Sequence, residues 1–323
     1  MSGDLLGPFR FYGTRPDDPN DIFPHEHRRE LRGYRVFCAW LHHDDSRAIN
    51  TMDTFRESEG GRGHVQHYLI DFGSALGSGS DVRRNIAPQD PRAGNEYLFE
   101  IPPMLKTAYT FGFWMRPWMK VRYVYPQFAE IGRIESDFFR PEAWKPEYPN
   151  AAFNRMLLDD AFWAAKIVAR FSDEAIRAIV HQGDYLDPQA ERFLADTLIA
   201  RRDKVVAHYF MQVNPLDAFR VAASNLEFRN LGQEHGLASV DAYQYEWFVF
   251  DNDTSSLTAL ADGEISQVRL PIPASGRAYL MVRLRTRSAG APEWRKAVDV
   301  YLRRDGEGRL VVGIERQIED VNP

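Results

Sequence analysis

The spacing of apolar positions changes once along this chain, and the change divides it. In HEHRRELRGYRVFCAWLH, residues 25 to 42, Leu31, Tyr34, Phe37, Cys38 and Leu41 recur three and four apart, which predicts a helix with one apolar stripe. Phe153, Met156, Leu157, Ala164, Ile167, Val168 and Phe171 define a second helical face. Ser172 then stands as the cap of a short helix through His181, and Asp187 with Pro188 opens a long helix ending near His208. After Pro215 the period becomes two. LEFRN, AYQYEWFVF, QVRLPI, RAYLMVRLR, KAVDVYLRR and RLVVGIE alternate between turn residues, the pattern of an antiparallel sheet or sandwich.

These elements predict an α+β chain in three parts. Residues 1–24 read as ordered loop, because Pro16, Pro19 and Pro24 remove backbone donors, and their exposed aromatic start suggests the end of a missing N-terminal region. Residues 25–214 read as mainly helical around a small β-hairpin region whose strand is HVQHYLI, residues 64–70. Residues 216–323 read as an antiparallel β-sheet or β-sandwich domain, with Trp247 and Trp294 as core or edge packing. Between 81 and 150 the many Pro, Trp, Tyr and Phe residues predict an irregular packed cap or groove wall. Arg83, Arg84, Arg116, Lys120 and Arg122 give it either an anion-facing side or a solvated surface.

Composition narrows the classes. A chain of 323 residues with 44% apolar and 13% aromatic residues folds around one large core or two ordinary ones. A formal charge of -6 with interspersed signs argues against nucleic acid as a partner. The single cysteine, Cys38, excludes an internal disulfide framework and reads as a small buried hydrophobe. No apolar run reaches the roughly 20 residues that span a bilayer, and the first residues lack an export signal, so a cytoplasmic location without a membrane span is expected.

The candidate chemistry lies in LHHDDSRAINTMDTF, residues 41–55, and HYLIDFGSALGS, residues 67–78, separated by the polar run RESEGGRG. Asp45, Asn50 and Asp71 offer two carboxylates and one neutral carbonyl oxygen, a set that suits Mg2+ or Mn2+ better than zinc. His42 and His43 are consecutive, so on a helix they diverge by about 100° and make a poor zinc pair. Structural capping or salt bridging is the competing reading of the acidic residues. Asp44 and Asp53 read as solvated, and His67 as satisfying a loop carbonyl. Gly73, Gly77 and Gly79 fit either structural turns or close approach of a ligand.

Asp45-Ser46-Arg47-Ala48-Ile49-Asn50, followed by Ile70-Asp71-Phe72-Gly73, resembles the catalytic and metal-binding segments of the protein-kinase-like superfamily. The match is nearest its atypical lipid-kinase-like and HipA-like branches. The resemblance spans roughly residues 25–210 and implies a kinase-like C-lobe for the helical part. It implies Asp45 as the catalytic carboxylate, Arg47 as a group stabilising the loop or a phosphate, and Asn50 and Asp71 as metal ligands. Asn50, Asp71 and Gly73 would then face the cofactor, ATP with Mg2+ or Mn2+. The whole chain is also similar to a group of uncharacterised bacterial proteins carrying the same HHDDSR and HYLIDFGS stretches. In departure from the superfamily pattern, the first 40 residues contain no lysine and no GxGxxG, so the nucleotide-anchoring half has no counterpart ahead of the motif.

Two functions follow as expectations. One is an ATP-dependent phosphotransferase, or its incomplete or degenerate remnant, acting on the hydroxyl of an unknown protein or small-molecule acceptor and inactive in the 323-residue form. The other is a non-catalytic interaction protein whose C-terminal β domain binds a protein or glycan.

Overall fold

The computed structural model describes residues 3–58, 60, 62–78, 93–116, 128, 130–306 and 308–318. Contacts divide the chain into two units, residues 1–156 with 163–206, and residues 157–162 with 207–323. Among the described residues, no helix is long and apolar enough to cross a membrane.

The first unit holds an antiparallel sheet of β1 (Asp4–Gly7), β2 (Thr51–Glu57) and β3 (Gly63–Leu69), in the order β1-β2-β3. Around it lie α1 (Arg29–Leu41), α2 (Ile101–Tyr109), α3 (Ala151–Asn154) and α5 (Asp173–His181), with parts of α4 (Leu158–Val168) and α6 (Pro188–Gln212). α1 starts later than its periodicity predicts, because His25–His27 forms a separate 3-10 turn. That turn is pinned by the His25 ring, whose Nδ1 faces Arg10 O at 2.5 Å and Nε2 faces Asp21 at 2.7 Å. α1 buries Gly33, Val36, Cys38, Ala39 and Trp40, a broader surface than the predicted stripe. Neighbours on several sides account for this. Trp40 Nε1 donates to Leu198 O at 2.9 Å, and a Cβ on Gly33 would lie 3.0 Å from the Trp163 ring.

Ser172 caps α5 by accepting from Ala175 N at 3.1 Å, and Asp187 accepts from Gln189 N at 2.8 Å at the start of α6. The helical face read across 153–171 is broken into α3 and α4, where Asp160 takes the N–H of Leu157 at 2.8 Å.

The second unit contains β4 (Leu216–Ala222), β5 (Asn225–Asn230), α7 (Leu231–Glu234), β6 (Ala242–Phe250), β7 (Leu257–Ile265) and β8 (Arg269–Pro271). It continues with β9 (Tyr279–Arg287), β10 (Val298–Asp305) and β11 (Gly308–Arg316). They form a five-stranded antiparallel sheet, β11-β10-β9-β6-β7, and a three-stranded one, β4-β5-β8. Alternate residues such as Val298, Val300 and Leu302 of β10 join Leu226, Phe228 and Trp247 in one core drawn from both sheets. The division falls ahead of Pro215, inside α6. Phe162 meets Phe210 with ring centroids 5.2 Å apart, and Trp294 Nε1 donates to Phe210 O at 2.9 Å.

The expected fold is corrected by this architecture. A mainly helical kinase-like C-lobe with a small β-hairpin, followed by a β domain, is not what the chain forms. Among the described residues helix accounts for 31% and strand for 28%, and the strands lie in three antiparallel sheets. Helical periodicity and capping residues pointed to α1, α4, α5 and α6 but not to α2 or α7, and said nothing about the irregular segments between elements, such as 42–47 and 130–150. Prolines made residues 1–24 read as loop, yet β1 lies ahead of the first of the three and pairs with β2. Gly79, Arg83, Arg84, Lys120 and Arg122 lie outside the described residues. Arg116 is paired with Glu96 at 2.5 Å, and α2 buries none of its side chains.

Candidate functional site

α1 ends because His42 adopts the left-handed conformation, φ 54° and ψ 40°, and the N–H of His43 then reaches Cys38 O at 2.9 Å. Glycine is the usual residue there, so a histidine is held by its surroundings. This turn carries the chain into the acidic segment. From there His43, Asp44, Asp45 and Ser46 are all buried, contrary to the solvated reading of Asp44.

The segment is tied at each residue. Asn50 Nδ2 donates to Asp45 O at 2.8 Å, while Asn50 O accepts from Ile70 N at 3.0 Å. Ser46 O accepts from Asn150 Nδ2 at 3.1 Å, and Asp44 O accepts from Glu147 N at 2.9 Å. Asp45 N donates to Ser74 Oγ at 3.3 Å, and Ser74 Oγ lies 3.1 Å from His43 Nδ1. These bonds bring Asp45, Arg47, Asn50 and the segment containing Asp71 into one neighbourhood. The carboxylates of Asp45 and Asp71 both act on the His43 ring, which burial nevertheless holds below the ordinary histidine range.

Each candidate has a definite state. Both Asp45 oxygens are engaged by Arg47, one through Nε and the other through Nη2 at 2.8 Å. Arg47 also lies 5.0 Å from the Tyr148 ring and 4.0 Å from Glu147. Asp71 follows the end of β3 by two residues, is exposed, and has φ 57°. Its Oδ1 accepts from Gly73 N at 3.3 Å. Gly77 lies where a Cβ would strike the Arg133 backbone, so its role is close approach of two segments. Burial drives the Asp44 carboxyl up to about 7, helped by Glu147 and Asp45. Burial likewise raises Glu147, and it pushes the Cys38 thiol up, which makes that sulfur inert.

The sequence reading missed a second constellation. Asp53, read as solvated, is buried, and His67, read as meeting a loop carbonyl, instead points Nδ1 at Asp53 Oδ1 at 2.6 Å. They are directly opposed in the β2–β3 register, and Arg15 Nη2 reaches the other Asp53 oxygen at 2.9 Å. The His67 and Arg15 bonds hold the Asp53 carboxyl below its ordinary value, against the opposing and largest effect of burial. The signal available in sequence was the hairpin register alone. Arg15 arrives from a distant loop.

Among the described residues, no group of three or more His, Cys, Asp or Glu side chains is placed to hold a metal. No family model matches this chain, and no match is found among curated proteins or solved structures.

Proposed function

We propose that the segments 45–50 and 71–73 form a divalent-cation and phosphate site used in phosphoryl transfer from a nucleotide to a hydroxyl acceptor. The observation that carries this reading is the two-way tether of Asn50. With Nδ2 committed to Asp45 O, the neutral Oδ1 is the amide atom left for a hard cation, and Asn50 O holds Ile70 beside Asp71 in the chain. Asp71 is exposed and supplies a carboxylate, while Gly73 N fixes one of its oxygens. One carboxylate and one carbonyl fit Mg2+ or Mn2+, which takes its other ligands from water and phosphate. When bound, the ion neutralises phosphate oxygens. The resemblance of these stretches to kinase-like catalytic and metal-binding segments supports the same chemistry.

Asp45 is the group that would orient the acceptor hydroxyl, and Arg47 holds it in a closed pair. Release of Arg47 toward Glu147 and Tyr148, which already flank it, would free both Asp45 oxygens and leave the guanidinium available to a phosphate. The saturated Asp45 carboxylate also favours a second reading, a remnant that binds nucleotide without transferring phosphate.

Titration of the full chain with Mn2+ in the presence of ADP, followed by electron paramagnetic resonance, tests the site. Saturable Mn2+ binding that weakens at least tenfold in Asp71→Asn, and not in Glu227→Gln on β5 of the second unit, is the expected result. Equal binding in all three chains removes the proposal. Incubation with γ-labelled ATP and a panel of hydroxyl acceptors separates transferase from remnant.

A further inference from the structure

The constellation around Asp53 ends on an open atom. His67 and Asp53 face each other across β2 and β3, and the ring directs Nδ1 at Asp53 Oδ1 over 2.6 Å. The other Asp53 oxygen is taken by Arg15 Nη2 at 2.9 Å, and a carboxylate paired in this way only accepts. Nδ1 therefore carries the proton of the neutral ring, and Nε2 is left with its lone pair. Phe9 packs edge-on against the imidazole, with ring centroids 5.3 Å apart. The His67 side chain is 49% exposed, whereas that of Asp53 is 2% exposed. Among the described residues none bonds to Nε2. A reachable proton acceptor oriented by a buried carboxylate has the build of a general base.

His67 and Asp53 lie on the wall of a cavity of about 490 Å3 within the first unit, lined by the hairpin and by residues of the 15–28 segment. Small-molecule sites fall in the range of about 300–1,000 Å3. Leu6, Phe55 and Val65 form its apolar side. The opposite side carries four aspartates, Asp17, Asp18, Asp21 and Asp53, against two arginines, and those two are engaged, Arg15 with Asp53 and Arg28 with Asp21. Such a lining disfavours an anion. It also holds no Ser, Thr, Cys or Lys side chain among the described residues, so the nucleophile left for a base to activate is water.

We propose that this cavity is a hydrolytic site for a small uncharged carboxylic ester, with His67 as the general base. Nε2 takes a proton from water as the water oxygen bonds to the carbonyl carbon. When the tetrahedral adduct collapses, the bond to the alkoxy oxygen breaks and Nε2 returns the proton to that oxygen, releasing a carboxylic acid and an alcohol. Asp53 stabilises the imidazolium formed between the two steps and takes no proton itself. The site is independent of the cation site at segments 45–50 and 71–73.

The full chain is tested with ethyl dichloroacetate, an uncharged alkyl ester, by following acid release at constant pH. His67→Gln keeps a donor for Asp53 but supplies no base, and it is expected to lower turnover about a hundredfold with an unchanged circular dichroism spectrum. His67→Ala is expected to lose turnover and to regain part of it when imidazole is added. His181→Gln, at a histidine whose side chain is 72% exposed and paired with Glu191, is expected to keep the native rate. Native turnover is expected to slow in D2O, because a proton moves with the attack of water, and this measurement does not depend on the folding of any variant. No turnover above the buffer rate, an equal loss in His67→Gln and His181→Gln, or no rescue of a folded His67→Ala by imidazole would overturn the proposal. So would a rate unchanged in D2O, the mark of direct attack by Nε2.

Discussion

Replacing Asp44 by Asn should make the protein more stable at neutral and alkaline pH and leave it little changed in acid. The folded chain moves this carboxyl from 3.8 to about 7, chiefly by burial and then by the charges of Glu147 and Asp45. At about 1.36 kcal/mol for each tenfold change in acidity, that corresponds to about 4 kcal/mol. Because the folded state binds this proton more tightly than the unfolded state, the contribution is most favourable below pH 4. It falls as pH rises and is lost above about 7. Asn cannot ionise, so the stability of Asp44→Asn minus that of the native chain should climb by about 1.4 kcal/mol per pH unit between 4 and 7 and then level off.

The difference must be taken between the two chains, because the native profile carries an opposing contribution. His42 falls from 6.5 to about 3 on folding, so stability rises with pH between those values as the unfolded chain gives up its extra proton. Urea unfolding followed by tryptophan fluorescence, at half-unit intervals from pH 4.5 to 8.5, gives both curves. A difference that is flat with pH, or that falls as pH rises, would refute the reasoning. Glu147→Gln should shrink the climb without removing it, since burial is the larger cause.

Asp53→Asn should cost about 3 kcal/mol at pH 7 in urea unfolding, because it leaves Arg15 and His67 without their shared buried carboxylate. Since folding lowers the Asp53 pKa, that loss should be complete above 3.8 and disappear as pH falls through the lower folded value. Gly33→Leu should destabilise by about 2 kcal/mol in the same assay, its side chain colliding with Trp163 and Ala164. Ser172→Ala should cost about 1 kcal/mol through the lost bond to Ala175 N. Leu302→Ala should cost about 3 kcal/mol by opening a cavity in the core of the two C-terminal sheets.

These magnitudes bear on how the acidic segment is built. Asp44 is a buried group that gains from protonation, whereas the neighbouring Asp45 is held by a guanidinium. Adjacent carboxyls of one sequence motif therefore do different electrostatic work. Asp45, Asn50 and Asp71 could be picked out together because they are close in sequence and flank a hairpin. Nothing in their spacing indicated that Arg47 would close on Asp45, two residues away.

By itself the sequence determined what depends on neighbours along the chain. Ser172, Asp187 and Pro188 mark helix starts because capping involves residues two or three apart. The alternation of Val298, Val300 and Leu302 marks a buried strand face because side chains change sides at every residue. What only the tertiary structure decided depends on groups distant in sequence. Asp4–Gly7 became a strand by pairing with β2, about 50 residues away, and Asp53 became a buried charge because Arg15 and His67 converge on it. The His42 and Trp144 rings meet at Gly94, joining three segments that no periodicity connects. Burial and charge pairing are properties of the assembled surroundings, so the ionisation of Asp44 and the closed state of Asp45 came into view only with the fold.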